Sequence, residues 1–208
     1  MGQAGHAMRR DCRSHQTRMV PLADPEVSSL IANTNVKHEL SGGEYAQRRG
    51  QCEQAAKALS VGSLRDVNMK ELVAKRETLD PVVYRRAFHV VGEIARTIQA
   101  ADEMTAGYWV VVGRLMHKSH VSLRDDYEVS CPELDLMVDL AMDLGPAGGV
   151  YGSRMTGGGF GGCTVSLVKT RFIESITKHL FEHYQAKTGI EPTIFATHPA
   201  AGARTLKA

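Results

Sequence analysis

Long apolar runs, paired cysteines and a secretion signal are all missing from this sequence. No apolar run approaches the ~18 residues that a membrane-spanning helix requires. The cysteines form no CxxC pair and lie far apart, which favours free thiols in a reducing compartment over disulfides or a zinc site. We therefore expect a cytoplasmic protein with no membrane partner and no metal site of its own. The four cysteines are Cys12, Cys52, Cys131 and Cys163.

An excess of charge of one sign is also missing. Lys and Arg number 25 against 23 Asp and Glu, and the formal net charge is +2. The densest basic groups are the pairs at 9–10 and 48–49, for which a solvated surface is the simplest interpretation. Such a mild and scattered charge predicts no nucleic-acid partner.

The composition is that of an ordinary globular protein, and the predicted strands and helices follow one another in a distinctive order. The chain of 208 residues is 43% hydrophobic, enough for one large domain or two small ones. Residues 5–11 and 16–22 predict two short strands, and residues 27–34 predict a buried strand. Apolar stripes at helical spacing then begin near residues 44, 81, 108 and 132. The last segments are extended over 150–155, extended over 163–168, helical over 172–187 and extended over 193–197.

From residue 27 onward this order is the split βαβ pattern of a ferredoxin-like sandwich, with extra helices inserted in the first crossover. We therefore predict an α+β fold. Two helix starts carry local signals. Asp80 followed by Pro81 predicts an N-cap with proline in the first turn, and residues 130–133 (Ser-Cys-Pro-Glu) predict a capping box.

The strongest chemical signal is a glycine run, in which five of the six residues 157–162 are glycine. A dinucleotide loop requires a helix directly afterwards, but the next residues are β-branched and alternate as in a strand. No Gly-Lys-Ser or Gly-Lys-Thr is present, which argues against a Walker loop. A hairpin connection without a ligand needs only one or two glycines. We therefore favour a functional loop whose N–H groups bind an anion.

Histidine pairs and two residues beside the glycine run are weaker candidates. His117 with His120, and His179 with His183, have helical spacing, but neither pair has a third ligand nearby, so we expect surface or partly buried side chains. Arg154 is expected at the rim of a strand. Cys163 is expected to be a buried, inert thiol.

Three segments at consistent spacing carry a family resemblance. Residues 151–163 resemble the third motif of the GHMP kinases in its galactokinase form, and residues 122–135 resemble the stretch ahead of it. Residues 33–38, together with Glu44-Tyr45 and Arg48-Arg49, are similar to the sugar-side segment of that family. The resemblance extends from about residue 5 to the end of the chain.

The resemblance implies a GHMP-kinase C-terminal lobe and an activity. Galactokinases transfer the γ-phosphoryl group of MgATP to O1 of α-D-galactose, so ATP, Mg²⁺ and galactose become the expected cofactors and partners. By the same resemblance Tyr45 would hydrogen-bond the sugar. The loop of the phosphate region would be Gly157, Gly158, Gly159, Phe160, Gly161 and Gly162.

The sequence also departs from the family. It contains no counterpart of the first motif, of the serine-rich loop of the second, or of the catalytic aspartate, so no catalytic residue is assigned. We expect a C-terminal fragment that is inactive alone, with the missing N-terminal lobe as its packing partner. Residues 1–26 would be a hairpin that adjoins that lobe, and residues 27–208 the C-terminal domain. A related sugar kinase, such as N-acetylgalactosamine kinase, and a non-catalytic galactose sensor stay open as alternatives.

Overall fold

The computed structural model describes residues 2–37 and 43–203. Alternating and apolar segments form strands, and the stripes at helical spacing form helices, as predicted. In chain order the elements are β1 (His6–Arg10), β2 (Thr17–Pro21), β3 (Val27–Lys37), α1 (Glu44–Ala58), α2 (Met69–Ala74), α3 (Pro81–Thr105), α4 (Trp109–Ser122), α5 (Pro132–Leu144), β4 (Val150–Met155), β5 (Gly161–Lys169), α6 (Ile173–Thr188) and β6 (Thr193–Thr197).

The main sheet has four strands in the order β4-β5-β3-β6, and every neighbouring pair is antiparallel. Helices α1 to α5 lie between β3 and β4 in the chain, and α6 lies between β5 and β6. This arrangement confirms the α+β fold and the ferredoxin-like sandwich with helices inserted in the first crossover.

The largest core cluster lies between this sheet and helices α5 and α6. The predicted stripe of α5 supplies part of it, because Leu134, Met137, Val138 and Ala141 are buried. Tyr184 of α6 is fully buried and is the largest side chain in the cluster. A second cluster joins α1, α2 and α3, so the inserted helices have an apolar core of their own.

Two strands extend further than predicted, and both extensions lead to the glycine run. β3 continues to Lys37 rather than ending at residue 34, and β5 begins at Gly161 rather than at residue 163. The register is regular up to Asn33 opposite Cys163 and then shifts before Lys37 pairs with Gly161. Four steps along β3 match two along β5, so the shift accommodates two extra residues on β3 and bends the strand.

The predicted capping box of α5 is wrong, whereas the cap of α3 is confirmed. Asp80 accepts hydrogen bonds from the amides of Val82 and Val83. Pro132 occupies the first helical position of α5, so the N-cap is Cys131 and not Ser130. The side chain of Cys131 makes no capping hydrogen bond. Ser130 lies one residue too early, and its hydroxyl donates to Asp135 Oδ1 at 2.5 Å instead.

The β1-β2 hairpin is a separate two-stranded antiparallel sheet, with His6 opposite Pro21 and Arg10 opposite Thr17. It is fastened to the inserted helices by ion pairs such as Arg18 to Asp102, at 2.6 Å. That contact ties the hairpin to α3. The domain boundary at residues 26 and 27 stays a prediction.

Helix α4 and strand β4 touch backbone to backbone. A Cβ added at Gly113 of α4 would overlap the carbonyl oxygen of Tyr151 and lie 2.7 Å from the amide nitrogen of Gly152. A Cβ added at Gly152 would overlap the carbonyl of Gly113 in turn. Because neither side of the contact is a movable side chain, glycine at both positions fixes the distance between α4 and β4.

Within residues 2–37 and 43–203, no helix is long and apolar enough to cross a membrane. The four cysteines are all free, and they differ in exposure. Cys12 is exposed, Cys131 is buried, and the other two are intermediate. Cys163 is therefore only half-buried, rather than buried as predicted.

Candidate functional site

The glycine run connects β4 to β5 and lies against the first turn of α1 and the turn that follows α4. Together these segments enclose a small cavity of about 90 Å³. Its lining includes Glu44, Tyr45 and Arg48 from α1 and Gly157, Gly158 and Phe160 from the loop. Residues that the sequence separates by more than a hundred positions thus meet in one place.

Tyr45 and the glycine loop are in direct contact. A Cβ added at Gly158 would overlap the hydroxyl of Tyr45 and lie 3.0 Å from its Cζ atom. The rest of the tyrosine faces outward, since Tyr45 is 62% exposed. The structure therefore brings together the two predicted parts of the site, the tyrosine and the loop.

The loop has a backbone that only glycine adopts readily at several positions. Gly159 has a φ of 85°, and a Cβ there would overlap the carbonyl oxygen of Val129. The next residue, Phe160, also has a positive φ of 58°, and its amide donates to that same carbonyl at 2.8 Å. Gly157 and Gly162, in contrast, have open space where a Cβ would be.

Thr34 of β3 supports the far end of the loop. Its hydroxyl donates to the carbonyl of Gly162 at 2.8 Å, and its own carbonyl accepts the Tyr184 hydroxyl at 3.0 Å. Thr34 is fully buried. The loop thus connects through one threonine to the core beneath the sheet.

His120 supports the near end of the loop, and it is fully buried rather than partly exposed as predicted. Its Nδ1 accepts the amide of Met155 at 3.3 Å, so the ring proton lies on Nε2, which is 3.2 Å from Asp135 Oδ1. Burial alone would raise the pKa of Asp135, but the close His120 ring and the hydrogen bond from Ser130 outweigh it, and the pKa is lowered. His120 is a support of the loop that helical spacing did not reveal.

Arg154 does not line the cavity at the loop, and its side chain is about one-third exposed. Its Nε donates to the carbonyl of Met155 at 3.0 Å, and its Nη1 lies 3.3 Å from Glu93 Oε1. Burial lowers the pKa of Arg154, and the Glu93 carboxylate partly offsets that effect. This side chain stabilises the strand before the loop rather than reaching the cavity.

Two buried arginines hold the turn at residues 123–129, which begins with a π-helical segment, Leu123–Tyr127. Arg48 donates from Nε to the carbonyl of Tyr127 at 2.6 Å and from Nη2 to that of Glu128 at 2.7 Å. Arg86 donates to the Asp126 carbonyl at 2.5 Å and to Glu128 Oε2 at 2.6 Å.

Arg48 is only 9% exposed. The prediction of a solvated pair at residues 48–49 was therefore wrong for Arg48. Arg49 is exposed and pairs with Glu53 four residues on.

His89 packs under the same turn. Its ring stacks on Tyr127 with centroids 4.6 Å apart, and its Nδ1 lies 3.0 Å from the Ser122 hydroxyl. Ser122 gives its own proton to Asp126 Oδ2 at 2.7 Å, so His89 Nδ1 is the donor to Ser122. Burial lowers the pKa of His89 to about 4.

This lowered pKa predicts a loss of stability in acid. Between its ordinary pKa near 6.5 and about 4, the unfolded chain binds a proton at His89 that the folded chain does not, so the free energy of unfolding falls as the pH falls. At 1.36 kcal/mol per pKa unit the full contribution is about 3 kcal/mol. We expect His89→Gln, which keeps a donor for Ser122 but does not titrate, to lose less stability than the parent between pH 7 and pH 4.5. Equal losses in urea unfolding of the two proteins would contradict the assignment.

Comparison with known proteins places this geometry in a family. Residues 98–183 match the family described as GHMP kinases C terminal. The chain is 52% identical over 206 residues to galactokinase of Homo sapiens and 51% identical over 206 residues to that of Canis lupus familiaris, with 99% of this chain and 51% of each relative covered. The chain thus spans about half the length of the curated relatives it matches.

Solved structures agree. Galactokinase of Lactococcus lactis, crystallised in complex with galactose, has a TM-score of 0.92 at 31% identity, over 99% of this chain and 53% of that one. Mevalonate kinase of L. major has a TM-score of 0.55 at 20% identity, over 95% of this chain and 50% of that one, a likeness of fold alone. By sequence and by fold, the chain matches galactokinases over nearly its whole length and over about half of theirs, and its residues 98–183 match the C-terminal family of the GHMP kinases.

Proposed function

We propose that this chain supplies the C-terminal part of the active site of a galactose kinase, which transfers the γ-phosphoryl group of MgATP to O1 of α-D-galactose. The observation that carries the proposal is the contact between the Tyr45 hydroxyl and the Gly158 backbone. In the family pattern the tyrosine holds the sugar and the loop supports the phosphate region. A kinase needs both functions side by side.

The chemistry of phosphoryl transfer explains why this contact matters. Catalysis depends mainly on positioning and on neutralising the charge of the transferred group. Backbone with several positive-φ residues suits a concave surface of N–H groups for phosphate oxygens, and the Phe160 amide, which binds Val129, is not one of those groups. We assign the phosphate region to residues 157–162 and the sugar hydrogen bond to Tyr45.

The loop offers space for the phosphate groups of ATP but no cluster of side chains to bind a metal ion directly, within the described residues. Gly157 and Gly162 leave open space for a phosphate group. Within the described ranges of the chain, no three His, Cys, Asp or Glu side chains form a cluster that could hold a metal. Mg²⁺ would therefore be carried on the nucleotide phosphates, where it neutralises their charge. We further propose a cytoplasmic location, in keeping with the cysteine usage.

Activity should require the N-terminal part of the relatives, because the sequence has no counterpart of the catalytic aspartate. We propose to assay ATP turnover with galactose for the 208-residue chain and for the chain joined behind the N-terminal half of human galactokinase. Turnover by the joined protein alone is expected. Turnover by the chain alone would contradict the fragment proposal. A folded, inactive joined protein that binds galactose would favour a sensor, and a preference for N-acetylgalactosamine would identify the related kinase.

Tyr45→Phe tests the sugar contact in the joined protein. Loss of one hydrogen bond to the substrate should raise the KM for galactose about tenfold and leave the KM for ATP unchanged. Tyr108→Phe is the matched control, because Tyr108 is also 62% exposed but precedes α4. An unchanged galactose KM in Tyr45→Phe would remove this residue from the site.

A further inference from the structure

We propose that Arg48 is a positioning residue that fixes the glycine loop relative to Tyr45, so that the sugar side and the phosphate side of the site keep a constant separation. The proposal rests on the proposed function for its catalytic meaning. Its structural part stands on contacts that join α1, the 123–129 turn and the loop.

The first step of this connection is helical spacing. Arg48 lies three residues after Tyr45 on α1, so the two side chains leave the same face of the helix. Tyr45 reaches the loop directly at Gly158, whereas Arg48 reaches the 123–129 turn. One turn of helix therefore contacts both partners.

The second step is a pair of hydrogen bonds from Arg48 to two successive carbonyls, those of Tyr127 and Glu128. Glu128 has a left-handed backbone, with a φ of 54°, which a non-glycine residue adopts only at a cost. Two hydrogen bonds from one rigid, planar guanidinium hold the carbonyls on either side of that strained position.

The third step is the carbonyl of the next residue, Val129. It accepts the amide of Phe160, and it occupies the space beneath Gly159 that a Cβ would need. The position of the loop is therefore set by the 123–129 turn. Arg48 holds the turn together with Arg86, but of the two only Arg48 lies on α1, and it therefore links the loop to that helix.

The burial of Arg48 is not that of an arginine that only solvates the protein surface. Arg48 is buried, and burial together with nearby Arg86 lowers its pKa, so the protein keeps this cation at a cost. Arg49, its neighbour on the same helix, is 83% exposed and pairs only with Glu53. Arg48 lines the cavity, but its Nε and Nη2 both bind backbone carbonyls of the turn, so we assign it a role through the turn and not on a substrate.

Hydrogen exchange of the 208-residue chain tests the structural part without any assay of activity. The reporter is the Phe160 amide, and the reference is the set of amides in the β3-β5 ladder. We expect Arg48→Gln and Arg48→Lys to raise the exchange rate of the Phe160 amide about tenfold, which is the factor that corresponds to one lost hydrogen bond. The exchange rates of the β3-β5 amides should not change. Lysine keeps the charge but has one nitrogen in place of the two spaced donors, Nε and Nη2, so unchanged protection of Phe160 in Arg48→Lys would overturn the proposal. Arg49→Gln is the control.

Two loop variants keep the proposal testable if the Arg48 variants do not fold. Gly159→Ala and Gly157→Ala both place a side chain at a positive φ, 85° and 75° respectively. Only the first would collide with the Val129 carbonyl. We expect fast exchange at Phe160 in Gly159→Ala alone. Equal exchange in both variants would overturn the claim that this carbonyl positions the loop.

Kinetics of the joined protein test the catalytic part. A misplaced loop should lower kcat at least tenfold in Arg48→Lys and leave the galactose KM within a factor of two, because Tyr45 is untouched. An unchanged kcat with fast Phe160 exchange would overturn the catalytic role. An inactive parent would count against the proposed function alone, since the exchange result is independent of it.

Discussion

Gly113→Ala should destabilise the protein by about 3 kcal/mol or more, a large part of the 5–15 kcal/mol that holds a typical domain folded. The added Cβ would overlap the Tyr151 carbonyl oxygen and lie 2.7 Å from the Gly152 nitrogen. A side chain could rotate away from such a collision, but the backbone of a paired strand cannot. Helix α4 would have to separate from β4, which also carries the residues before the loop. Urea unfolding followed by circular dichroism measures the effect.

Gly50→Ala is the matched control for Gly113→Ala. Gly50 lies inside helix α1, and nothing lies within 4 Å of the position that its Cβ would take. Alanine restricts the unfolded chain and suits a helix better, so this variant should gain about 0.5–1 kcal/mol. Opposite signs for two helical glycines would isolate the contact as the cause. A Gly113→Ala protein within 1 kcal/mol of the parent would contradict the close approach.

Arg86→Met should cost about 1–3 kcal/mol, because it removes the buried donor that binds three part-buried acceptors. Arg86 is 2% exposed and donates to Gln51, to the Asp126 carbonyl and to Glu128. Methionine preserves much of the volume, so the loss measured is mainly that of the hydrogen bonds and charge. The hydrogen bond from Arg86 is also the main cause of the lowered pKa of Glu128, which should rise in the variant. Urea unfolding at pH 7 gives the stability, and NMR titration gives the pKa.

Arg85→Met is the control for Arg86→Met, since both arginines bind the same carboxylate. Arg85 donates to Glu128 Oε1 at 2.6 Å, as closely as Arg86 does to Oε2, but its side chain is 40% exposed. Exposed ion pairs contribute about 0–1 kcal/mol, so Arg85→Met should change stability little. Equal losses in the two variants would show that burial does not distinguish the arginines.

The sequence predicts best where a short pattern decides the structure by itself. The strands Val150–Met155 and Thr193–Thr197 have the predicted bounds, because each is a short extended segment of five or six residues. The α3 cap at Asp80 is equally local. From such segments the order of elements follows, and the sheet topology follows from the order. The fold was therefore predictable without any long-range information.

Features that depend on distant contacts were not predictable. Arg48 and Arg49 are adjacent and chemically identical, yet only Arg48 is buried. The difference comes from the Tyr127 and Glu128 carbonyls, which lie about eighty positions away in the chain. The extension of β3 to Lys37 likewise depends on its pairing with Gly161. No local pattern at these positions contains that information.

The candidate site divides in the same way. The glycine run and Tyr45 were identified from the sequence, by composition and by the family resemblance. Their supports were not, because His120 and Val129 act through a ring nitrogen and a backbone carbonyl. Any residue has a carbonyl, so sequence offers no signal for the acceptor that holds Phe160. A structure is needed to find such a contact.

The position of Tyr184 has a practical consequence. Its hydroxyl binds the carbonyl of Thr34, and the hydroxyl of Thr34 binds the carbonyl of Gly162. An isotope or fluorine label on this one buried ring would therefore sense strain transmitted from the loop, while remaining shielded from solvent and from any added ligand. A label on Tyr184 would thus report on the glycine run from within the core.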